Sequence, residues 1–322
     1  MDKQNLPKID ENLVVEIIKK EFKNLTPREI FQYSAGWLHA KYRISFLEND
    51  NAVVLRFGAD KENVHFEDNY STDKEIYVNS LISKKTDVKV PKILSKGDHI
   101  GLEYLIMEDL KGPNFEEAGK TYSNETILKI MQQWGSAMAQ IHNILKEDSF
   151  GYIGAEGVVK PFNSWSKMFK RYIQIKPNLE IIPLELREAA RDYAQKNSKV
   201  LDLERDPTLV LYDINSGNII VNDGNLRGLI DFDLALYGNK SLDFMFPFLD
   251  RAIGNVKTKE PYLKGYLEGG GRLPIGLNEL NKLNTLNFLM STILNYYGAQ
   301  GHRATWSADY TEKLKQFLKE NA

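Results

Sequence analysis

The chain has 322 residues, 42% hydrophobic and 27% charged, with a formal net charge of -2 and no cysteine. That composition fits a globular chain long enough for more than one domain, and it excludes disulfides, zinc–thiolate sites and thiol nucleophiles. Residues 1–111 carry 17 basic and 19 acidic side chains and the remainder 25 of each, a balance that argues against a nucleic-acid partner.

The first residues lack the basic-then-apolar pattern of a signal peptide, and no apolar run reaches the length of a membrane span. No membrane association is expected, and the cytoplasm is the expected compartment. Residues 10–24 place Leu13, Val14, Ile17 and Ile18 on one helical face, with Asp10 available as N-cap. Strands are expected over 28–33, 41–47 and 52–57, with Gly36 in the turn between the first two. Arg56 interrupts the apolar run Val53-Val54-Leu55-Arg56-Phe57. Facing inward it needs a partner, and at a strand edge it needs none. The helix over 71–84 offers Glu75, with Asp73 as the competing choice; either acid also suits the first turn of a helix.

Residues 101–110 read as a buried strand that ends in the polar step Glu108-Asp109 and is broken by Lys111-Gly112-Pro113. The run 124–145 is a strongly amphipathic helix, and His142 near its end reads as a structural hydrogen-bonding residue. Residues 150–154 read as a Gly-punctuated loop, followed by helices over 164–175 and 184–196. Beyond the central stretch, helices are expected over 242–253, 262–267, 277–297 and 307–318. Tyr296, Tyr297 and Trp306 are aromatic candidates for a binding site, although helix packing is the commoner role for such residues.

The stretch 209–243 organises the rest. Val210 to Tyr212 end on Asp213; Asn218 follows five residues later; Ile219 to Val221 and Leu226 to Ile230 flank the hairpin turn signal Asp223-Gly224; and the return strand ends on Asp231-Phe232-Asp233. A hairpin brings the residue before its first strand beside the residue after its second. Asn218 and Asp231 are therefore expected side by side, with Asp213 facing them. Two oxygen ligands and a third carboxylate suit Mg²⁺ held with a polyphosphate. Taken alone, Asp213 and Asn218 are also ordinary turn formers.

Asp213-x-x-x-x-Asn218, the hairpin, Asp231-Phe232 and the later Asp243 together resemble the catalytic half of the protein-kinase-like fold, in the branch of aminoglycoside phosphotransferases and choline kinases. The branch usually reads His-Gly-Asp where this chain has Leu211-Tyr212-Asp213. The resemblance implies a bilobal α+β fold, with a small lobe over residues 1–110 containing an antiparallel sheet and a larger, mainly helical lobe over residues 111–322. It implies transfer of the γ-phosphoryl group of ATP or GTP to a hydroxyl of a small molecule. Asp213 would orient that hydroxyl and accept its proton, and Asn218 and Asp231 would hold Mg²⁺. Arg56, fixed by Glu75, would contact the phosphates with the turn at Gly36, and Met107, Glu108 and Leu110 would lie nearest the base. Asp233 would be a secondary metal ligand or a carboxylate for a cationic acceptor, and Asp243 would help to hold the large lobe together. A catalytically inactive nucleotide-binding sensor on the same fold is the alternative, favoured by the lost His and the sparse Gly36 loop and opposed by the retained Asp213, Asn218 and Asp231. A metal-dependent hydrolase using the same acids is a third reading. The acceptor, the choice of ATP or GTP and the oligomeric state stay open.

Overall fold

The computed structural model describes residues 9–33, 39–58, 72–174, 179–213, 215–245, 253, 257, 259–297 and 305–321. Its N-terminal part is an antiparallel sheet of β1 (Pro27–Gln32), β2 (Lys41–Phe46), β3 (Ala52–Phe57), β4 (Ile93–His99) and β5 (Leu102–Glu108), in the order β1-β2-β3-β5-β4. The helix α1 (Glu11–Glu21) covers it. Asp10 caps α1 by accepting the Asn12 N–H at 2.9 Å, and Val14, Ile17 and Ile18 pack among Ile44, Phe46, Leu55 and Tyr104. The helix α2 (Thr72–Lys85) lies between this sheet and the rest of the chain. Its Val78 and Ile82 belong to the same apolar cluster as Ile130, Met131 and Trp134 further along.

The C-terminal part is built on helices. One turn of helix, α3 (Phe115–Ala118), precedes α4 (Asn124–Ile144), which Ser123 caps by accepting the Thr126 N–H at 3.2 Å. There follow α5 (Trp165–Gln174), α6 (Leu184–Lys196), α7 (Lys259–Glu268), α8 (Leu277–Asn295) and α9 (Trp306–Glu320). The helices α4 and α7 touch through glycines: a Cβ on Gly135 would strike the Tyr262 carbonyl, and one on Gly265 the Gln132 carbonyl.

Two expectations change. The stretch expected as a loop at 150–154 contains the strand β6 (Phe150–Ile153), which joins β7 (Val158–Phe162), β8 (Thr208–Val210) and β11 (Leu236–Gly238) in the order β7-β6-β11-β8. Its glycine marks a close backbone approach, since a Cβ at Gly151 would meet the Lys160 carbonyl. Where a helix is expected from 242, the described residues form a short 3-10 turn, Lys240–Phe244, started by the Asn239 side chain accepting the Ser241 N–H at 2.9 Å. The hairpin of β9 (Ile219–Asn222) and β10 (Asn225–Leu229) forms as expected. Asp223 and Gly224 both have positive φ, 49° and 68°, as a two-residue primed turn requires.

Candidate active site

The segment between β8 and the hairpin is held from behind. Asp243, fully buried, accepts the N–H of Leu211 at 2.9 Å and of Tyr212 at 2.7 Å, and His142 Nε2 lies 3.0 Å from the same carboxylate. The other ring nitrogen of His142 is 2.9 Å from the Tyr266 hydroxyl. Tyr212 has φ of 66°, a left-handed conformation that costs most residues about 1–2 kcal/mol and glycine almost nothing. It packs against two apolar clusters, one around α4 and one around α8, and Asn287 Nδ2 donates to its hydroxyl at 3.1 Å. Burial above all pushes that hydroxyl up to about 12.

Asp213, Asn218 and Asp231 come together. The Asp213 carboxylate accepts Asn215 Nδ2 at 2.6 Å and Asn218 Nδ2 at 2.7 Å. Across the ribbon the Ile230 N–H donates to the Asn218 carbonyl at 3.0 Å, which places Asp231 beside Asn218. Burial first, and then the Asp231 charge, raise the Asp213 carboxyl to about 6 against the two amide hydrogen bonds. Asp231 itself has φ of 69°, and its Oδ2 accepts Lys41 Nζ at 2.8 Å. Burial raises its carboxyl, but Lys41 outweighs that with help from Arg56 and His39 and holds it below the ordinary range. Among the described residues no group of three or more His, Cys, Asp or Glu side chains is arranged to hold a metal ion. The hard oxygens available here are those of Asp231 and the Asn218 amide, about as many as Mg²⁺ takes from a protein when phosphates and water complete its shell.

Behind these lies a buried ion network. Arg56 pairs with Glu75, while Asp73 is taken by Lys96 at 2.7 Å, so the competing partner is engaged elsewhere. Arg56 Nη2 also donates to Asp233 Oδ2 at 2.7 Å and lies 2.7 Å from His39 Nε2, which is 2.5 Å from the same carboxylate oxygen. The His39 Nδ1–H donates to the Phe57 carbonyl at 2.8 Å. Burial raises the Asp233 carboxyl, but Arg56 and His39 outweigh it and hold it far below the ordinary range. Lys74 donates to the Asp233 carbonyl; burial lowers its ammonium to about 8 against the pull of Asp233.

Met107 and Leu110 are buried and Glu108 is exposed, at the end of β5 where the chain leaves the sheet. The linking segment is tied to the hairpin: the Val221 N–H donates to the Pro113 carbonyl at 3.0 Å, Arg227 Nε donates to the Leu110 carbonyl at 3.2 Å, and a side chain at Gly112 would strike the Val221 carbonyl. Gly36 lies outside the described residues. Tyr296 rests edge-on against Trp306, their centroids 4.7 Å apart, while Tyr297 is exposed. Lys41, His39 and Lys74 join the site without a motif that marks them in the sequence. The available signal was the pairing of β2 with β3, which sets Lys41 opposite Arg56.

A model of the phosphotransferase enzyme family matches residues 29–275. No curated protein matches the chain by sequence. Among solved structures, a thermostable mutant of aminoglycoside phosphotransferase APH(4)-Ia, in a ternary complex with AMP-PNP and hygromycin B, superposes with a TM-score of 0.70 at 14% identity, over 96% of this chain and 99% of that one. The ADP-bound aminoglycoside phosphotransferase APH(2'')-Ib gives 0.68 at 16% identity, over 97% and 99%. A candidate fructosamine-3-kinase from Thermobifida fusca gives 0.65 at 14% identity, over 96% and 98%. These likenesses show the kinase-like fold. With more than half of its length matched, the chain belongs to the phosphotransferase enzyme family and is a small-molecule kinase.

Proposed function

We propose that the protein moves the γ-phosphoryl group of ATP or GTP, in the presence of Mg²⁺, to a hydroxyl of an amine-bearing small molecule such as an aminoglycoside. The observation that carries this reading is the meeting of Asp213, Asn218 and Asp231 at one end of the β9–β10 hairpin. Asp213, gripped by two side-chain amides, orients the acceptor hydroxyl and accepts its proton. Asp231 and the Asn218 amide oxygen hold Mg²⁺, which when bound neutralises charge on the β- and γ-phosphates. Arg56, locked against Glu75, supplies positive charge behind the phosphates. Met107, Glu108 and Leu110 lie nearest the base. With little covalent chemistry for side chains to perform, positioning and electrostatics supply most of the rate.

An amine-bearing acceptor is supported by the charge balance at the hairpin end. Asp231 and Asp233 are matched by cations, while the hydrogen-bond partners of Asp213 are neutral amides. The superposed aminoglycoside phosphotransferase APH(4)-Ia is in complex with hygromycin B. The co-substrate and the absence of cysteine suit the cytoplasm. Among the described residues no helix is long and apolar enough to cross a membrane.

The test is a screen of aminoglycosides and other hydroxyl-bearing amines by coupled nucleotide turnover, with ATP and with GTP. Asp213→Ala should abolish transfer, a loss of at least about a hundredfold for a positioned proton acceptor, and leave nucleotide affinity largely intact. Asp231→Ala should damage Mg²⁺-dependent nucleotide binding itself. Full transfer by Asp213→Ala would show that its role is misassigned.

A further inference from the structure

We infer that Lys41 is the cation that meets the nucleotide phosphates, and that it competes with the divalent ion for Asp231. The inference rests on the metal role proposed above for Asp231. Lys41 and Arg56 sit directly opposite each other in the β2–β3 ladder. Directly paired antiparallel residues project from the same face of the sheet, so both cations point toward the hairpin end. They are used differently. Arg56 is 3% exposed, and its guanidinium is shared among Glu75, Asp233 and His39. Its planar fork is spent on holding the buried network together.

Lys41 stands nearer the solvent. Its side chain is 19% exposed and that of Asp231 20%, and the 2.8 Å pair is the contact that holds its ammonium among the described residues. One of its three N–H donors is engaged there. An ammonium on a four-carbon stem is a mobile point charge, suited to shift by a few ångströms, whereas a guanidinium locked by two carboxylates is not. When a divalent ion takes Asp231, like charges repel and Lys41 must leave that carboxylate. The nearest new negative charge is then the triphosphate that arrives with the ion. Lys41 thus competes with the free ion and assists the ion–nucleotide pair, and this opposition of sign separates it from a merely structural residue.

The experiment measures both equilibria on Lys41→Met and Lys41→Arg without requiring turnover. Mn²⁺ alone is titrated by electron paramagnetic resonance, and Mg·AMP-PNP by calorimetry. Loss of one charge-assisted contact corresponds to about a tenfold change in affinity. Lys41→Met should therefore bind Mn²⁺ about tenfold tighter and Mg·AMP-PNP about tenfold weaker, with Lys41→Arg restoring most of the nucleotide affinity. A partly exposed pair contributes little to folding, so the melting temperature should hardly move. A Lys41→Met protein that binds Mg·AMP-PNP like the unaltered protein, or binds Mn²⁺ no tighter, overturns the assignment. Asp231→Asn, run beside it, separates the two readings: nucleotide binding that keeps its Mg²⁺ dependence in that variant would refute the metal role of Asp231 itself.

Discussion

Asp243 carries more of the site than its distance in sequence from Asp213 implies. It fixes both N–H groups that precede Asp213 and is itself held by His142, the carboxylate and the imidazole both buried. Removing one partner of such a buried set costs about 3–5 kcal/mol. Asp243→Ala should lower stability by that order in urea titration and reduce transfer with it. Lys74 gives a prediction in pH. Its folded value of about 8 lies below the ordinary 10.5, so between those values the unfolded chain binds a proton that the folded chain does not. Stability from this group therefore rises with pH across that window, by an amount of order 3 kcal/mol, and is flat below it. The facing charge is Asp233, backed by Arg56 and His39. Stability measured against pH from 7.5 upward should show the unaltered protein gaining on Lys74→Met; parallel curves would contradict the depressed value.

At the scale of elements, the crossing of α4 and α7 depends on Gly135 and Gly265. An alanine in mid-helix gains about 1 kcal/mol over glycine by propensity, but here its Cβ must displace a facing carbonyl. Overpacking costs about 1–3 kcal/mol, so Gly135→Ala should lower the melting temperature and Gly135→Val should lower it further. Elements with a strong local signal were legible in the sequence. The apolar stripe of α4, the Asp10 cap of α1 and the Asp223-Gly224 turn each state their structure within a few residues. The strand β6 was not legible, because its pairing partners Pro161 and Tyr237 lie outside its own short segment. The site divides in the same way. Asp213, Asn218 and Asp231 follow from hairpin geometry within one stretch, whereas Lys41 and His39 reach Asp231 and Asp233 from 190 and 194 residues away. A lone Lys at the start of a strand looks like a solvated end until the tertiary partner is seen.

For the whole molecule, charged contacts converge where the parts meet. Lys41, Arg56, His39 and Lys74 all reach Asp231 or Asp233, while Val78 and Ile82 of α2 join the core around α4. We propose that residues 1–110 and 111–322 act as lobes and that this joint makes them melt together. Calorimetry should show a single transition for the unaltered protein. Asp233→Ala removes the carboxylate that Arg56 and His39 share, a loss of about 3–5 kcal/mol, and should split the trace so that the smaller lobe melts first. A single unsplit transition in that variant would mean that the apolar contacts of α2 suffice. The anchoring of the loop by a carboxylate some thirty positions downstream also sets a rule for chimeras. A transplant of residues 209–231 into another scaffold would arrive without its backing, and to work it must carry the 239–245 turn along with an imidazole equivalent to His142.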